Sequence, residues 1–121
     1  MAGEVSFFEL GVGDAGQART FFGGLFGWDF EPGTTDGGGF AIRTPNVPGG
    51  LHGADSGASP YLFFRVDDME AALVRVRELG GSADDVELGG GEESVARFGR
   101  FQLCQDDQGT PFGLHQPPPG A

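Results

Sequence analysis

Residues 7–28 read FFELGVGDAGQARTFFGGLFGW, and from Tyr61 the chain says much the same again as YLFFRVDDMEAALVRVRELGG. Each copy runs from an alternating apolar segment, through an acid, into a segment with helical periodicity. The helical apolar positions Ala15, Ala18, Phe22 and Leu25 answer to Met69, Ala72, Val76 and Leu79, and Asp14 answers to Asp68. A carboxylate just ahead of a helix accepts N–H groups that the first turn leaves unpaired, so both acids predict helix starts. A second echo closes each half, PGGLHG at 48–53 and PFGLHQ at 111–116. Its wider spacing gives the second half several extra residues, expected as longer strands or loops between 89 and 104. Two echoes in the same order predict a duplicated strand–helix–strands unit.

A chain of 121 residues has room for one core, and halves of this size would each be marginal alone. The expected organisation is a single domain, with a first unit at 5–53, a linker at 54–60, a second unit at 61–116 and a tail at 117–121. Glycine (24) and proline (8) approach the level of disordered chains, but twelve phenylalanines with periodic Leu and Val argue for a folded domain. No segment nears the roughly 20 apolar residues that cross a bilayer, and the opening MAGEVSFFEL has no basic region before an apolar one. The expectation is a soluble cytoplasmic protein without a membrane partner. Cys104 is the only cysteine, so no intrachain disulfide is possible, and it reads as a small buried side chain. With seven basic residues and a net charge of −11, the chain lacks the clustered Lys and Arg that phosphates require, which excludes a nucleic-acid partner.

Strand parity places Phe8, Leu10 and Val12 under the helices, with Phe7, Glu9 and Gly11 on the other face. In the second copy Leu62, Phe64 and Val66 face the helices, with Tyr61, Phe63 and Arg65 opposite. Helices are expected from about 15 to 26 and from about 68 to 79, with Trp28 as a core anchor. Further strands are expected at 40–43, at the Gly-Leu-His of the first half, at 82–88, at 94–105 and at 111–116, with a hairpin turn at 106–109. Glycine runs at 37–39 and 89–91 read as turns or as flaps. The result is an α+β domain of two βαβββ units, with helices on one sheet face and the other face free to curve around something. That face gathers Phe7, Glu9, Gly50, His52, Tyr61, Phe63, Arg65, Gly113 and His115. Aromatic walls with a few polar groups suit a small-molecule pocket.

These residues carry a resemblance over 7–116. The segments FELGVGD (8–14), ARTFFGGLFGW (18–28), FRVDDMEAA (64–72) and DQGTPFGL (107–114) are similar to those of the glyoxalase, bleomycin-resistance and extradiol-dioxygenase superfamily, the vicinal oxygen chelate proteins. The resemblance implies paired βαβββ units curled into a mixed-sheet cup with helices outside, and a homodimer as the common assembly. In metal-dependent members the cup holds a divalent ion through one ligand on each of four strands. The matching positions here are Phe7, Gly50, Tyr61 and Gly113, a set that lacks the nitrogen and carboxylate donors such an ion needs. The nearer model is the branch that binds a drug or metabolite without metal or other cofactor. An alternative keeps one divalent metal ion: Glu9, His52 and His115 each sit two residues beyond a matching position on the same strand face, and two imidazoles with a carboxylate form a chemically sensible triad. Without metal the same histidines could do acid–base work with Glu9 orienting one of them, and they could equally be hydrogen-bonded rim residues.

Overall fold

The computed structural model describes residues 3–33, 39–55, 60–84 and 92–119. Among these lie eight strands and three helices, an α+β composition. The chain divides into two compact units, one spanning Phe7–Tyr61 and the other combining Met1–Ser6 with Leu62–Ala121.

In the first unit the order is β1 (Val5–Gly11), α1 (Ala15–Phe26), β2 (Asp29–Pro32), β3 (Phe40–Arg43) and β4 (Gly49–His52). The strands lie in the order β2-β3-β4-β1, with β1 and β4 parallel and the other neighbours antiparallel. Alternation in β1 sends Phe8, Leu10 and Val12 against Ala15, Ala18, Ile42 and Leu51, the face expected. The Asp14 carboxylate accepts the Gln17 N–H at 2.9 Å and starts α1. Gly27, at a φ of 74°, stops it in the left-handed conformation that a side chain would resist. Trp28 is indeed a core anchor, its ring centroid 4.8 Å from that of Phe26 and 5.5 Å from that of Phe8. Leu25, expected inside, is 60% exposed. The last turn of α1 lies at the surface: Phe26 is exposed as well, although its ring rests against the Trp28 indole.

The second unit continues with β5 (Tyr61–Arg65), α2 (Met69–Glu78), β6 (Ser82–Ala83), α3 (Glu92–Phe98), β7 (Arg100–Gln105) and β8 (Pro111–Gln116). Its strand order is β5-β8-β7-β6, with β5 and β8 parallel. Met69, Leu73, Cys104 and Leu114 form the core, flanked by Val66, Ala72 and Val76. Asp68 caps α2 through the Ala71 N–H at 3.2 Å, and Gln116 Oε1 takes the Met69 N–H at 2.7 Å. Two expectations fail here. Leu79 is exposed because α2 ends at Glu78 and leaves it in the cap, and Leu62 is exposed although its parity matches Val66.

The larger correction concerns 94–105, expected as one strand. Its first part is helix α3, and only Arg100–Gln105 is extended. Glu92 and Glu93 sit in the first turn and Arg97 in the last, the charge order that a helix dipole favours. Gly99, at a φ of 93°, then ends the helix where a side chain would run into the Gln116 carbonyl. The extra length of the second half therefore includes a helix, not only strands or loops. Of the strand expected at 82–88, Ser82–Ala83 is extended. The rest from 85, the glycine run at 89–91, residues 37–38 of the earlier run and 56–59 of the linker lie outside the described residues. The hairpin at 106–109 is as expected: Asp106 accepts the N–H groups of Gln108 (2.8 Å) and Thr110 (2.9 Å). No described helix is long and apolar enough to cross a membrane. Cys104 is buried, and burial pushes its thiol pKa up, away from reactivity at neutral pH.

Candidate functional site

In the first unit β1 and β4 pair with Glu9 opposite Gly50 and Gly11 opposite His52. Parity turns Glu9 away from the face that carries Phe8 and Leu10. Glycine at position 50 is what admits it, since a Cβ there would strike Glu9 Oε1. Glu9 Oε2 lies 2.6 Å from His52 Nδ1, and the other ring nitrogen, Nε2, lies 2.7 Å from Asp55 Oδ2. Backbone bonds fix Asp55 in place: its N–H donates to the Val12 carbonyl at 2.9 Å, and that of Ala54 to Gly13 at 3.0 Å. Ala54 accepts a φ of 57° to make this turn.

Burial raises the Glu9 pKa, and the opposing pull of His52 through hydrogen bond and charge does not cancel it. His52 is also raised. Burial alone would lower it, but the hydrogen bonds and charges of Glu9 and Asp55 outweigh that. Both groups therefore hold a proton more tightly than in water. The chain of three leads outward, from a Glu9 side chain 29% exposed to an Asp55 side chain 47% exposed.

The second unit repeats the register with different contents. Phe63 lies opposite Gly113 and Arg65 opposite His115. Here an aromatic ring covers the glycine, and a Cβ at Gly113 would run into the Phe63 ring. Phe63 meets Phe101 edge to face at 5.2 Å, and Phe101 stacks on the His115 imidazole at 4.4 Å and 7°. His115 is buried, with Nε2 at 2.7 Å from the Phe98 carbonyl and Nδ1 at 2.8 Å from Ser6 Oγ. A carbonyl only accepts, so Nε2 carries the proton and Nδ1 accepts from the Ser6 hydroxyl. Burial lowers the His115 pKa and the Arg65 charge adds to the effect, while the Phe98 bond opposes it without prevailing. This imidazole is neutral at neutral pH.

Of the residues singled out in the sequence, Glu9 and His52 meet directly. His115 belongs to the second unit and has its own partners there, a unit that also holds Phe63, Arg65 and Gly113. Phe7 and Phe63 are buried and Tyr61 is half-buried. Arg65 Nε lies 3.7 Å from Asp67, beyond hydrogen-bond reach. Two partners escaped the sequence reading. Asp55, three residues after His52, carried a usable signal in the acid placed just past the strand end; Ser6 carried none.

The positions that the resemblance matches to metal ligands carry few donors. Gly50 and Gly113 offer no donor and are covered by neighbouring side chains, and Phe7 is a hydrocarbon. Each ring nitrogen of His52 and His115 already faces a protein partner. Among the described residues no group of three His, Cys, Asp or Glu side chains is placed to hold a metal.

No protein-family model and no curated protein sequence matches the chain. Solved structures do. A glyoxalase/bleomycin resistance protein/dioxygenase superfamily member from Vibrio splendidus 12B01 is similar over 96% of this chain and 99% of its own, at 18% identity and a TM-score of 0.60. Methylmalonyl-CoA epimerase from Mycobacterium tuberculosis is similar over 95% of this chain and 88% of its own, at 19% identity and a TM-score of 0.65. A catechol 2,3-dioxygenase is similar over 97% of this chain but 42% of its own, at 17% identity and a TM-score of 0.63. The doubled strand–helix–strand plan and these matches together give the chain the fold of the glyoxalase, bleomycin-resistance and dioxygenase superfamily.

Proposed function

We propose that this protein binds a small molecule without a metal ion, in the manner of the glyoxalase and bleomycin-resistance type, and sequesters an antibiotic or holds a metabolite. The observation that carries the metal-free part is the engagement of all four imidazole nitrogens by protein partners, beside two glycines where ligands would have to stand. Glu9 carries the recognition: a carboxyl group with a raised pKa, held by His52 through Oε2, with Oε1 over the bare Cα of Gly50. The test combines metal analysis with a thermal-shift screen of hydrophobic drugs and metabolites. Protein purified without chelator contains less than stoichiometric metal, and a ligand that raises the melting point of the wild type fails to do so for Glu9→Gln. Stoichiometric metal lost in His52→Ala would overturn the reading.

A second reading is an enzyme that moves protons without metal. It is supported by the similarity to an epimerase and a dioxygenase and by the chain from Glu9 through His52 to Asp55. Turnover of a ligand from the same screen, lost in Glu9→Gln, would favour it over sequestration.

A further inference from the structure

The geometry points to a proton relay in the first unit: Glu9 exchanges a proton with a weakly acidic small molecule, and His52 passes it to Asp55 and solvent. This rests on the proposal that Glu9 faces the ligand, and it gives Asp55 the role of proton exit from that site.

The argument starts from what an imidazole can do between two carboxyl groups. Glu9 at 2.6 Å and Asp55 at 2.7 Å occupy opposite nitrogens of one ring. Two carboxylates only accept, so the arrangement needs one proton more than a neutral imidazole carries. That proton sits either on Nδ1, giving carboxylate–imidazolium–carboxylate, or on Glu9 Oε2, giving a carboxylic acid beside a neutral ring. Both forms carry the same net charge, and they differ only by a shift along one short hydrogen bond. Glu9 and Asp55 are the ionisable groups that contact His52 among the described residues, one from β1 and one from the turn after β4; Gly11, opposite His52 in register, brings no charge.

From the second form a complete transfer can be written. A ligand O–H, N–H or activated C–H bond breaks, and its proton joins Glu9 Oε1. The Oε2–H proton moves to His52 Nδ1, and the Nε2–H proton moves to Asp55 Oδ2. Three bonds to hydrogen form and three break, and the ligand keeps the electron pair. Asp55, with its side chain 47% exposed, then releases the proton to water. Oε1 is suited to the first step because it projects over the bare Cα of Gly50 and makes no hydrogen bond among the described residues. The imidazole must use both nitrogens for this task, whereas His115 has one nitrogen fixed by a backbone carbonyl that cannot accept a proton.

The experiment follows the Glu9 carboxyl carbon and the His52 ring nitrogens by NMR across pH in wild type, Asp55→Asn and Asp55→Glu. Loss of the Asp55 charge lowers the proton affinity of His52 by about tenfold or more. Direct electrostatics would lower the Glu9 pKa, because a nearby negative charge is gone. Transmission through the ring raises it, because a less protonated His52 no longer favours the Glu9 carboxylate. A Glu9 titration that moves up in Asp55→Asn and returns in Asp55→Glu supports the relay. One that moves down or stays overturns it. Ligand-induced thermal shifts in the same variants report on binding separately, so a failed relay is distinguishable from a failed binding site.

Discussion

His52 and His115 occupy equivalent places in the two halves, each in a Gly-Leu-His run on the strand parallel to the first strand of its half. One lies between two carboxylates with its side chain 45% exposed; the other is buried between a serine hydroxyl, a backbone carbonyl and a phenyl ring. The same residue on the same scaffold thus holds its proton tightly in one half and gives it up easily in the other. The difference comes from what the neighbouring strand presents: Glu9 in the first half, and Phe63 at the corresponding place in the second. The two halves share this register, and the exchange of Glu9 for Phe63 goes with one imidazole set between carboxylates and the other packed against a ring.

Removing each histidine is the strongest way to break this comparison. His115→Ala empties a stacked ring position and strands the Phe98 carbonyl and Ser6 hydroxyl, so the expected loss of unfolding free energy is about 3–4 kcal/mol. His52→Ala removes two part-buried ion contacts that solvent partly screens, and the loss is about 0.5–1 kcal/mol. Urea unfolding at neutral pH measures both, and equal losses would erase the distinction.

The glycines opposite sharpen it. Gly113→Ala drives a methyl group into a buried ring that cannot swing away, with an expected loss of about 1–3 kcal/mol. Gly50→Ala meets the end of a flexible carboxylate, so stability falls by less than about 1 kcal/mol while ligand binding through Glu9 is lost. The helix caps serve as a control in which the halves should agree. Asp14→Ala and Asp68→Ala each remove a bond to the N–H three residues on, and each lowers stability by about 1 kcal/mol.

The smallest effects are the pH limbs, which have opposite signs. The folded His115 pKa lies below its unfolded value, so the stability it confers is present above the ordinary histidine pKa and lost as pH falls through the lowered one. The folded His52 pKa lies above its unfolded value, so its contribution is present below the ordinary histidine pKa and lost as pH rises through the raised one. Unfolding free energies from pH 5 to 9 should show His115→Gln flattening the acid side and His52→Gln the alkaline side.

Much of this was legible in the sequence because duplication offers each feature twice. Asp14 with Asp68, and Phe8 with Leu10 and Val12, announced the helix starts and the buried strand face by local chemistry alone. Parity and the repeat put Glu9 and His52 on one strand face and let Glu9 orient one of the two histidines, without saying which; Asp55 was not expected, because a turn at Ala54 brings it back to the ring. The helix at Glu92–Phe98 was missed because Val95 and Phe98 carry apolar bulk that reads as strand unless the flanking charges are weighed. The setting of His115 was beyond reach: its partners are Ser6 and the Phe98 carbonyl, a backbone group that no residue pattern advertises.

The most direct test of the account is a single NMR titration that follows both imidazoles in the wild-type protein. At about pH 6.5, where an unperturbed histidine is half protonated, His52 should be predominantly imidazolium or share its proton with Glu9, and His115 should be neutral with its proton on Nε2. The same titration midpoint for both rings, or His115 protonating before His52 as pH falls, would contradict it.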